Sequence, residues 1–519
     1  MQSAKAARGT LYLTIQQWIQ YLVAFVFYVG VARFIAQAEV GLWSMLTAST
    51  AAFTTLTVLG LPVATQKCVS ENYGRGDLGA AASISRLNFT IVTLSTLPTL
   101  AAAFLLSPSL STLILGGAEY TIPFILILSA SAIINFIALY GADMLGLGMY
   151  LEVAIQNLAL ILISRASGLA LAYMGYGLQG LASGWLIGAL SCLILSIHLM
   201  RRKLPKPSKQ FRELYGTIFR YSYPVWILAI ITLAQGWADI TILYALTGRA
   251  AMTGIYYLAS AGATLLAVFW VAISMVILPL MSSEEVRVGR QAVPSIYNAS
   301  SRLLNILVLP IGASLAAISP TAITIAYGPA YIEGVAPFAL LTATAILPAY
   351  VSINTSTLQA IAETKVLAKI GLASAIIDIA LVTILVKPLG ANGAALARTT
   401  MFLTAFILMQ KALASRAQIK IDPTHFRKTI ALAAIVALPL AALDYTLTHP
   451  YPVNPITRLI LEGIFFLIIY AVSLRIFRII EVGDFELLRK ALPHRLEKTL
   501  TMIEAFITHR TPSVDNRRG

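Results

Sequence analysis

The two halves of this sequence resemble each other, with corresponding residues separated by about 213 positions. Two short glycine-containing motifs recur at this distance. They are Gly116-Gly117-Ala118-Glu119-Tyr120 with Gly328-Pro329-Ala330-Tyr331, and Gly177-Leu178-Gln179-Gly180 with Gly390-Ala391-Asn392-Gly393. A duplicated chain of this kind predicts two similar structural repeats. In membrane proteins, such repeats are typical of transporters, which bind their substrate where the repeats meet.

The sequence is too apolar for a water-soluble protein. Of its 519 residues, 58% are hydrophobic and 11% are charged, whereas about a quarter of the residues of a soluble domain are charged. The apolar runs of about 20 residues are long enough to cross a hydrocarbon core of about 30 Å as helices. The alternating pattern of a membrane β-barrel is missing. The first run, residues 11–32, is expected to be a retained helix, because it is longer than a signal-peptide core and has no small-residue cleavage site.

Fourteen apolar segments satisfy this length, and the second set of six repeats the first. We therefore predict an all-α membrane protein with about 14 transmembrane helices, in two pseudo-symmetric six-helix lobes plus two additional C-terminal helices. The predicted domains are an N-terminal lobe (1–200), a basic cytoplasmic linker (201–216), a C-terminal lobe (217–411), the two additional helices (412–478) and a cytoplasmic tail (479–519). Apolar residues at helical spacing predict an amphipathic helix over 494–510 of the tail, and residues 511–519 are expected to be disordered.

The distribution of basic residues predicts the orientation, because short loops rich in Lys and Arg stay on the cytoplasmic side. With the N-terminus inside, the cytoplasmic segments carry 31 of the 37 Lys and Arg residues. The outer side carries Arg33, Arg249, Lys387 and Arg458. This asymmetry predicts a multi-pass plasma-membrane protein with both termini cytoplasmic. It also accounts for the net charge of +15, so anionic membrane lipids, and not nucleic acid, are the expected partners.

The sequence contains no motif for covalent chemistry. It lacks a Gly-rich phosphate loop ending in Lys and Ser or Thr, a paired-His motif and an extramembrane domain large enough for a nucleotide. The two cysteines, Cys68 and Cys192, do not have metal-ligand spacing. We therefore predict no catalytic residue, no metal and no cofactor, and we expect that the protein is not an enzyme.

A few ionisable residues fall inside the predicted helices, where a charge costs about 2.5 to 3.5 kcal/mol and tends to face a cavity. Arg165 and Arg398 are candidates to bind phosphate oxygens, because a guanidinium is permanently charged and has a planar fork of donors. The alternative is a structural ion pair with Asp378 or Asp239. Asp378 lies 213 positions after Arg165, so corresponding positions carry opposite charges. Both acids are candidates for ion coupling or ion pairing, and hydrogen bonding to neighbours is the alternative for Asp239.

The first helix is predicted to contribute polar side chains to a cavity. Gln16 and Gln20 lie one turn apart on the same face. Amides that face lipid would be unsatisfied, so we predict that both face the substrate, with interhelical hydrogen bonding as the alternative. Arg33 ends this helix on the outer side, where it would either meet a departing anion or extend to the lipid headgroups.

Several segments resemble the polysaccharide biosynthesis proteins, or oligosaccharide flippases, which share a superfamily with the multidrug and toxic-compound (MATE) exporters. The resemblance covers about residues 10–480. Its motifs are Arg33-Phe34-Ile35-Ala36-Gln37-Ala38-Glu39-Val40-Gly41-Leu42-Trp43, Gly60-Leu61-Pro62, the loop 67–77, Tyr223-Pro224 with Asp239, Gly254-Ile255-Tyr256 with Pro279, and Pro388-Leu389-Gly390-Ala391-Asn392-Gly393-Ala394-Ala395.

The resemblance implies two six-helix lobes that move a polyprenyl-phosphate-linked oligosaccharide to the outer leaflet by alternating access. In relatives, basic residues of the central cavity are thought to hold the carrier phosphate, and the matching residue types here are Arg33, Arg165 and Arg398. The expected partners are the lipid-linked oligosaccharide, membrane lipids, H⁺ or Na⁺, and other glycan-assembly proteins.

Two alternatives remain open from the sequence. The first is a cation-coupled MATE-type exporter of small molecules; cation-coupled relatives often have an acidic residue in the first helix, where this chain has only glutamines. The second is a membrane-embedded glycan polymerase or ligase, which is disfavoured because no external loop is long enough for its catalytic residues.

Overall fold

The computed structural model of the protein describes residues 2–201, 203–208, 211–289, 291, 293–449 and 453–477. The described residues form helices joined by short connections, with no β-strand among them. The helices of the first half are α1 (Gln2–Phe34), α2 (Gln37–Val58), α3 (Leu61–Gly74), α4 (Leu78–Leu105), α5 (Ser107–Leu115), α6 (Thr121–Gly146), α7 (Tyr150–Leu171) and α8 (Gly177–Met200). Those of the second half are α9 (Phe211–Thr247), α10 (Ala250–Thr264), α11 (Ala267–Val288), α12 (Val293–Ala317), α13 (Ser319–Tyr327), α14 (Val335–Ala343), α15 (Ile346–Ala360), α16 (Thr364–Leu389), α17 (Ala391–Ala417), α18 (Pro423–Thr448) and α19 (Pro455–Phe477).

These helices account for the predicted spans. Among the described residues, ten helical stretches are long and apolar enough to cross a membrane. One of them, Tyr150–Met200, has 51 residues. As a straight helix it would measure about 75 Å, more than twice the hydrocarbon thickness, so it is two spans, α7 and α8. Three helix pairs, bent by 42° to 48° at a short break, are together long and apolar enough to form one further span each. The prediction of an all-α membrane protein with about 14 transmembrane helices is confirmed.

Glycines allow the chain to turn within these spans. The connection between α7 and α8 passes through Gly175 and Gly177, whose φ angles are 92° and 48°. The break between α2 and α3 passes through Gly60, with a φ of 70°. A Cβ at Gly60 would also lie 2.5 Å from the backbone oxygen of Ser222. Only glycine combines a positive φ with so close an approach of another backbone.

The duplication in the sequence recurs in the structure. Helices α5 and α13 each have nine residues and begin with Ser-Pro, 212 positions apart. Each is followed by a glycine with positive φ, 85° at Gly116 and 97° at Gly328. The long helix before each contains a proline, Pro98 in α4 and Pro310 in α12. Helix lengths, breaks and prolines therefore repeat together with the residues.

Contacts group the described chain into two compact units. The first comprises Met1–Ala261 and Ala375–Ala397, and the second comprises Gly262–Ser374 and the described part of Arg398–Gly519. These units are defined by contacts, whereas the predicted lobes are defined by the sequence repeat. The predicted domain boundaries therefore stay a prediction. The predicted amphipathic helix (494–510) and the end of the tail (511–519) lie outside the described residues.

Each unit has an apolar core made by several helices. In the first unit, side chains of α3, α4 and α6 meet around Val69, Leu139 and Met144. In the second unit, side chains of α11, α12, α15 and α17 meet around Met281 and Leu413. Burial of these side chains leaves the remaining polar groups of each interior in need of hydrogen-bond partners.

Polar side chains connect helices inside both units. In the first, Gln156 of α7 donates hydrogen bonds to the carbonyl oxygen of Ile137 at 2.9 Å and to the hydroxyl of Ser196 at 2.8 Å. In the second, the Tyr297 hydroxyl of α12 donates to Asn354 of α15 at 2.8 Å. Such interhelical hydrogen bonds contribute about 0.6 kcal/mol each on average in membranes. They hold the helices in register.

Helices α2 and α10, which correspond in the repeat, touch within the first unit through two glycines. A Cβ at Gly41 would lie 1.9 Å from the carbonyl oxygen of Ala250. A Cβ at Gly254 would lie 2.4 Å from the carbonyl oxygen of Gln37. Gly254 follows Gly41 by 213 positions, and Ala250 follows Gln37 by 213 positions. The same contact is therefore made twice, once by each repeat, as in a two-fold symmetric interface.

The start of α18 is capped by Asp422. Its Oδ1 accepts hydrogen bonds from the backbone N–H of Thr424 at 2.8 Å and of His425 at 3.3 Å. These bonds stabilise the ionised carboxylate and lower the pKa of Asp422 below its usual value. The cap satisfies two backbone donors that the first turn of a helix leaves unpaired.

Candidate functional site

Arg165 lies in α7 among aromatic side chains of two other helices. Its Cζ is 5.1 Å from the ring centroid of Phe27 and 5.6 Å from that of Tyr28, both in α1. It is 5.9 Å from the ring of Trp185 in α8. An aromatic ring attracts a guanidinium within about 6 Å by roughly 0.5 to 2 kcal/mol. The rings therefore hold this cation at the junction of α1, α7 and α8.

The Arg165 guanidinium has unused hydrogen-bond donors. Its Nε and Nη1 are shielded from solvent, and neither has a hydrogen-bond partner among the described residues. The contacts of this group within the described chain are with rings and not with a carboxylate. Arginine is not deprotonated in proteins, so the positive charge persists. An anion with oxygen acceptors, such as a phosphate, would satisfy both the charge and the donors.

Two tyrosines add hydroxyl groups to this site. The hydroxyl oxygens of Tyr28 and Tyr257 are 3.0 Å apart, and the two rings pack edge to face with centroids 5.5 Å apart. We refer to Phe27, Tyr28, Arg165, Trp185 and Tyr257 as the Arg165 cluster. It combines one cation, two hydroxyl groups and several ring surfaces. This combination is suited to an anion that is partly apolar.

Gln16 lies in the same interface between α1 and α7. It is 4% exposed, and its Oε1 accepts a hydrogen bond from Asn157 at 3.5 Å. Asn157 precedes Arg165 by eight residues, which corresponds to about 12 Å along a helix. The structure thus places Gln16 on the same helix pair as Arg165, in an interhelical hydrogen bond. Gln20, one turn later, is half-buried.

The other two candidate arginines occupy different positions. Arg33 is exposed in the last turn of α1, five residues after Tyr28. Arg398 is half-buried in α17 and belongs to the second unit, whereas Arg165 belongs to the first. A role for either residue in binding an anion stays a prediction.

The two candidate acids are both buried. Asp239, in α9, is fully buried, and its carboxylate accepts hydrogen bonds from the backbone N–H of Ile240 at 2.8 Å and from the hydroxyl of Tyr256 in α10. The hydrogen bond from Tyr256 connects α9 to α10. Asp378, in α16, is 1% exposed. Ion coupling at either residue stays a prediction.

The sequence singles out Arg165 as a candidate but not the aromatic residues around it. Trp185 follows Arg165 by 20 residues and lies on another helix, so the packing of α7 on α8, and not a local motif, joins them. The sequence repeat gave one indication that Trp185 belongs to the site. The position 213 residues after Trp185 is Arg398. The repeat therefore aligns a ring partner of one candidate arginine with the other candidate arginine.

Among the described residues, no group of three or more His, Cys, Asp and Glu side chains is arranged to hold a metal ion. Cys68 and Cys192 are both buried, and neither forms a disulfide. The Cys192 thiol donates to the carbonyl oxygen of Gln156 at 3.3 Å. This contact gives Cys192 a packing role between α7 and α8.

Comparison with solved structures shows the fold. The lipid II flippase MurJ, in an inward closed conformation, aligns over 90% of this chain and 98% of its own, with a TM-score of 0.73 and 15% identity. An inward-facing multidrug resistance MATE family transporter aligns over 79% and 98%, with a TM-score of 0.64 and 12% identity. A MOP superfamily transporter from Pyrococcus furiosus, described as having a binding pocket of reverse polarity, aligns over 79% and 96%, with a TM-score of 0.58 and 13% identity. The fold is thus that of multi-pass transporters.

Comparison of sequences shows the family. Stage V sporulation protein B from Bacillus subtilis (strain 168) is 39% identical over 84 residues, which is 16% of each chain. The sequence profile of the polysaccharide biosynthesis proteins matches residues 6–284, more than half of the chain, and the whole Arg165 cluster lies inside this region. The chain therefore belongs to the polysaccharide biosynthesis protein family.

Proposed function

We propose that this protein is a flippase that moves a lipid-linked oligosaccharide, carried on a polyprenyl phosphate, across the plasma membrane by alternating access. Its family membership supports a role in polysaccharide assembly. Its fold is shared with a protein named as a lipid II flippase. In this proposal the chain catalyses no covalent step, needs no cofactor, and has both termini in the cytoplasm.

The Arg165 cluster is the observation that carries this proposal. The phosphate of a carrier lipid supplies the anionic oxygens that the two unused Arg165 donors require. The surrounding rings suit the apolar part of the same substrate. A permanent positive charge repels an organic cation, so the cluster favours an anionic substrate over a cationic drug.

The remaining candidate residues have secondary roles in this proposal. Gln20, Arg33 and Arg398 contact the substrate at other stages of its passage, and Gln16 does so if its hydrogen bond to Asn157 opens. Asp239 and Asp378 are candidates to bind the coupling ion, H⁺ or Na⁺, since buried carboxylates in membrane helices are expensive and mark ion pathways.

Transport by the purified full-length protein in liposomes tests the proposal. The substrate is a fluorescent polyprenyl-diphosphate oligosaccharide, and its appearance in the opposite leaflet is measured by chemical quenching of the fluorophore. Arg165→Ala is expected to reduce the rate at least tenfold, because a charged hydrogen bond contributes about 1.5 to 3 kcal/mol. Arg165→Lys keeps the charge without the planar fork and is expected to be intermediate.

Arg86→Ala is the matched control, because Arg86 is an exposed arginine of α4 outside the cluster. It should transport at the wild-type rate. Wild-type transport by Arg165→Ala, with an unchanged melting temperature, would show that the assigned site is wrong. Mass spectrometry of the lipid after the assay should return its starting mass; a changed mass would favour a polymerase or ligase instead.

A MATE-type exporter is the second candidate, because the fold aligns with a MATE transporter at a TM-score of 0.64 and Asp239 is a buried carboxylate. Liposomes that take up an organic cation along a Na⁺ or H⁺ gradient would support it. The exporter function would be established if Asp239→Asn lost uptake of the organic cation and the wild-type protein did not move the lipid-linked oligosaccharide.

A further inference from the structure

A second group of buried charges lies in the two additional C-terminal helices. Asp444 of α18 and Arg458 of α19 are each 8% exposed, and Glu462 of α19 is 1% exposed. The Nε of Arg458 lies 3.9 Å from Asp444 Oδ1 and 3.9 Å from Glu462 Oε1. The sequence predicts Arg458 on the outer surface and does not single out the two acids. The structure instead buries all three side chains together.

Neutral side chains hydrogen-bond to two members of this group. The Thr321 hydroxyl of α13 donates to the Asp444 carboxylate. Arg458 Nη1 donates to the Thr448 hydroxyl at 2.5 Å. Glu462 differs from both, because neither of its carboxylate oxygens receives a hydrogen bond within the described part of the chain. Glu462 faces two groups, the carboxyl of Asp444 and the guanidinium of Arg458.

The group contains one positive charge for two carboxyls, and among the residues that the structure describes no other charge of the neighbouring helices lies close enough to compensate it. α13 carries no charged residue. The cations of α18 and α19 nearest in sequence, Lys428 and Arg475, lie at the opposite ends of those helices, about 20 Å or more away. Arg302 of α12 faces Asp422 at the same distant end. His449 is exposed and stacks on Tyr445.

We propose that Asp444 and Glu462 together bind one proton, shared between their carboxyl groups, and that α18 and α19 thereby form a proton-binding element. One guanidinium cannot compensate two ionised carboxylates, and the negative charge left over in a water-poor site favours the uptake of one proton. A shared proton supplies the donor that Glu462 lacks and brings the charge of the group to zero. The inference uses residues outside the Arg165 cluster and goes beyond the proposed transport function.

The site lies near one end of both helices. Asp444 is four residues from the end of α18, and Glu462 is seven residues from the start of α19. These separations correspond to about 6 Å and 10 Å along the helices. The topology predicted from the basic residues places this end at the outer side of the membrane. The proton therefore exchanges with the outer aqueous phase, and the site responds to external pH.

Infrared difference spectroscopy of the full-length protein in detergent tests the proposal. At pH 7, the wild-type spectrum minus that of Glu462→Gln should contain the C=O band of one protonated carboxylic acid, and this band should shift in D₂O. Asp444→Asn should lose the same band, because Glu462 would then face Arg458 alone and ionise. The control, Glu363→Gln, removes a carboxylate that pairs with Arg416 at 2.6 Å and should leave the band unchanged.

Three results would overturn the proposal. The first is the absence of the band from the wild-type protein. In that case, Na⁺ would be identified as the occupant if NaCl, but not choline chloride, raised the melting temperature of the wild-type protein and neither salt changed that of Glu462→Gln. The second is a band that persists in Asp444→Asn, since burial alone would then protonate Glu462. If Glu462→Gln does not fold, Glu462→Asp keeps the acid and should shift the band. An unshifted band in Glu462→Asp, the third result, would assign the proton to another residue.

Discussion

At the scale of single residues, Arg165 shows how a membrane protein can hold a cation without neutralising it. The three rings at 5.1 to 5.9 Å attract the charge but do not occupy the Nε and Nη1 donors. A buried donor without a partner costs about 1 to 3 kcal/mol, and more when it is charged. A carboxylate partner within the chain would remove this cost and the reason to bind a ligand. Because the cluster has no such carboxylate, the cost of the unpaired donors remains, and an anionic ligand can remove it by binding.

The ring of Trp185 is expected to contribute to anion binding by positioning the Arg165 guanidinium. Trp185→Leu should weaken binding of a fluorescent polyprenyl diphosphate by about 5- to 30-fold, which corresponds to the roughly 1 to 2 kcal/mol of a partly desolvated cation–π contact. Trp185→Phe keeps an aromatic ring and should lose less. Trp18→Leu, which removes a tryptophan of α1 that is 50% exposed, is the control. An equal loss in the control would attribute the effect to general destabilisation.

Single residues also show where reasoning from sequence stops. Arg165 is predictable because a charge in an apolar segment is rare and expensive. The same criterion applies to Glu462, which falls in the apolar stretch of α19, so Glu462 could also have been selected as a candidate from the sequence alone. The partners of Arg165 and Glu462 could not be predicted in this way, because Phe27, Trp185 and Asp444 come from other helices and are brought close only by tertiary packing.

At the scale of helices, the contact between α2 and α10 depends on the absence of two side chains. Both glycines belong to motifs that are visible in the sequence, but their contact is not, because a crossing point is set by the packing of two distant helices. Small residues at such a point let two backbones approach closely. The neighbouring atoms are backbone carbonyl oxygens, which cannot move aside as a flexible side chain can.

Gly41→Ala and Gly254→Ala are therefore each expected to destabilise the protein. The added Cβ would lie 1.9 Å from Ala250 in the first variant and 2.4 Å from Gln37 in the second, so the helices must separate, at a cost of about 1 to 3 kcal/mol. The melting temperature in detergent measures the loss. Gly236→Ala in α9 is the control, because its Cβ would meet nothing within 4 Å. Unchanged melting of both crossing variants would show that this contact is not part of the fold.

At the scale of the whole molecule, length and hydropathy predict most of the architecture, because each span must satisfy its own backbone hydrogen bonds within the membrane. The breaks inside spans were not predictable in this way. Apolar residues continue through the bend between α2 and α3. The bend shows only in the positive φ of Leu59 and Gly60 and in the close approach of α9 to the turn at Gly60. The contact-defined units likewise follow from long-range contacts.

The orientation of the whole chain follows from its charges and can be measured with cysteine labelling. Basic loops resist translocation, so Lys206, exposed in the segment between α8 and α9, should lie inside, and Glu119, exposed before α6, should lie outside. A membrane-impermeant maleimide should label Glu119→Cys in intact spheroplasts but Lys206→Cys only after permeabilisation. Cys68 and Cys192, 2% and 0% exposed, should give little background in the unmodified protein. The reverse labelling pattern would invert the topology and would place the Asp444–Glu462 site at the cytoplasmic side.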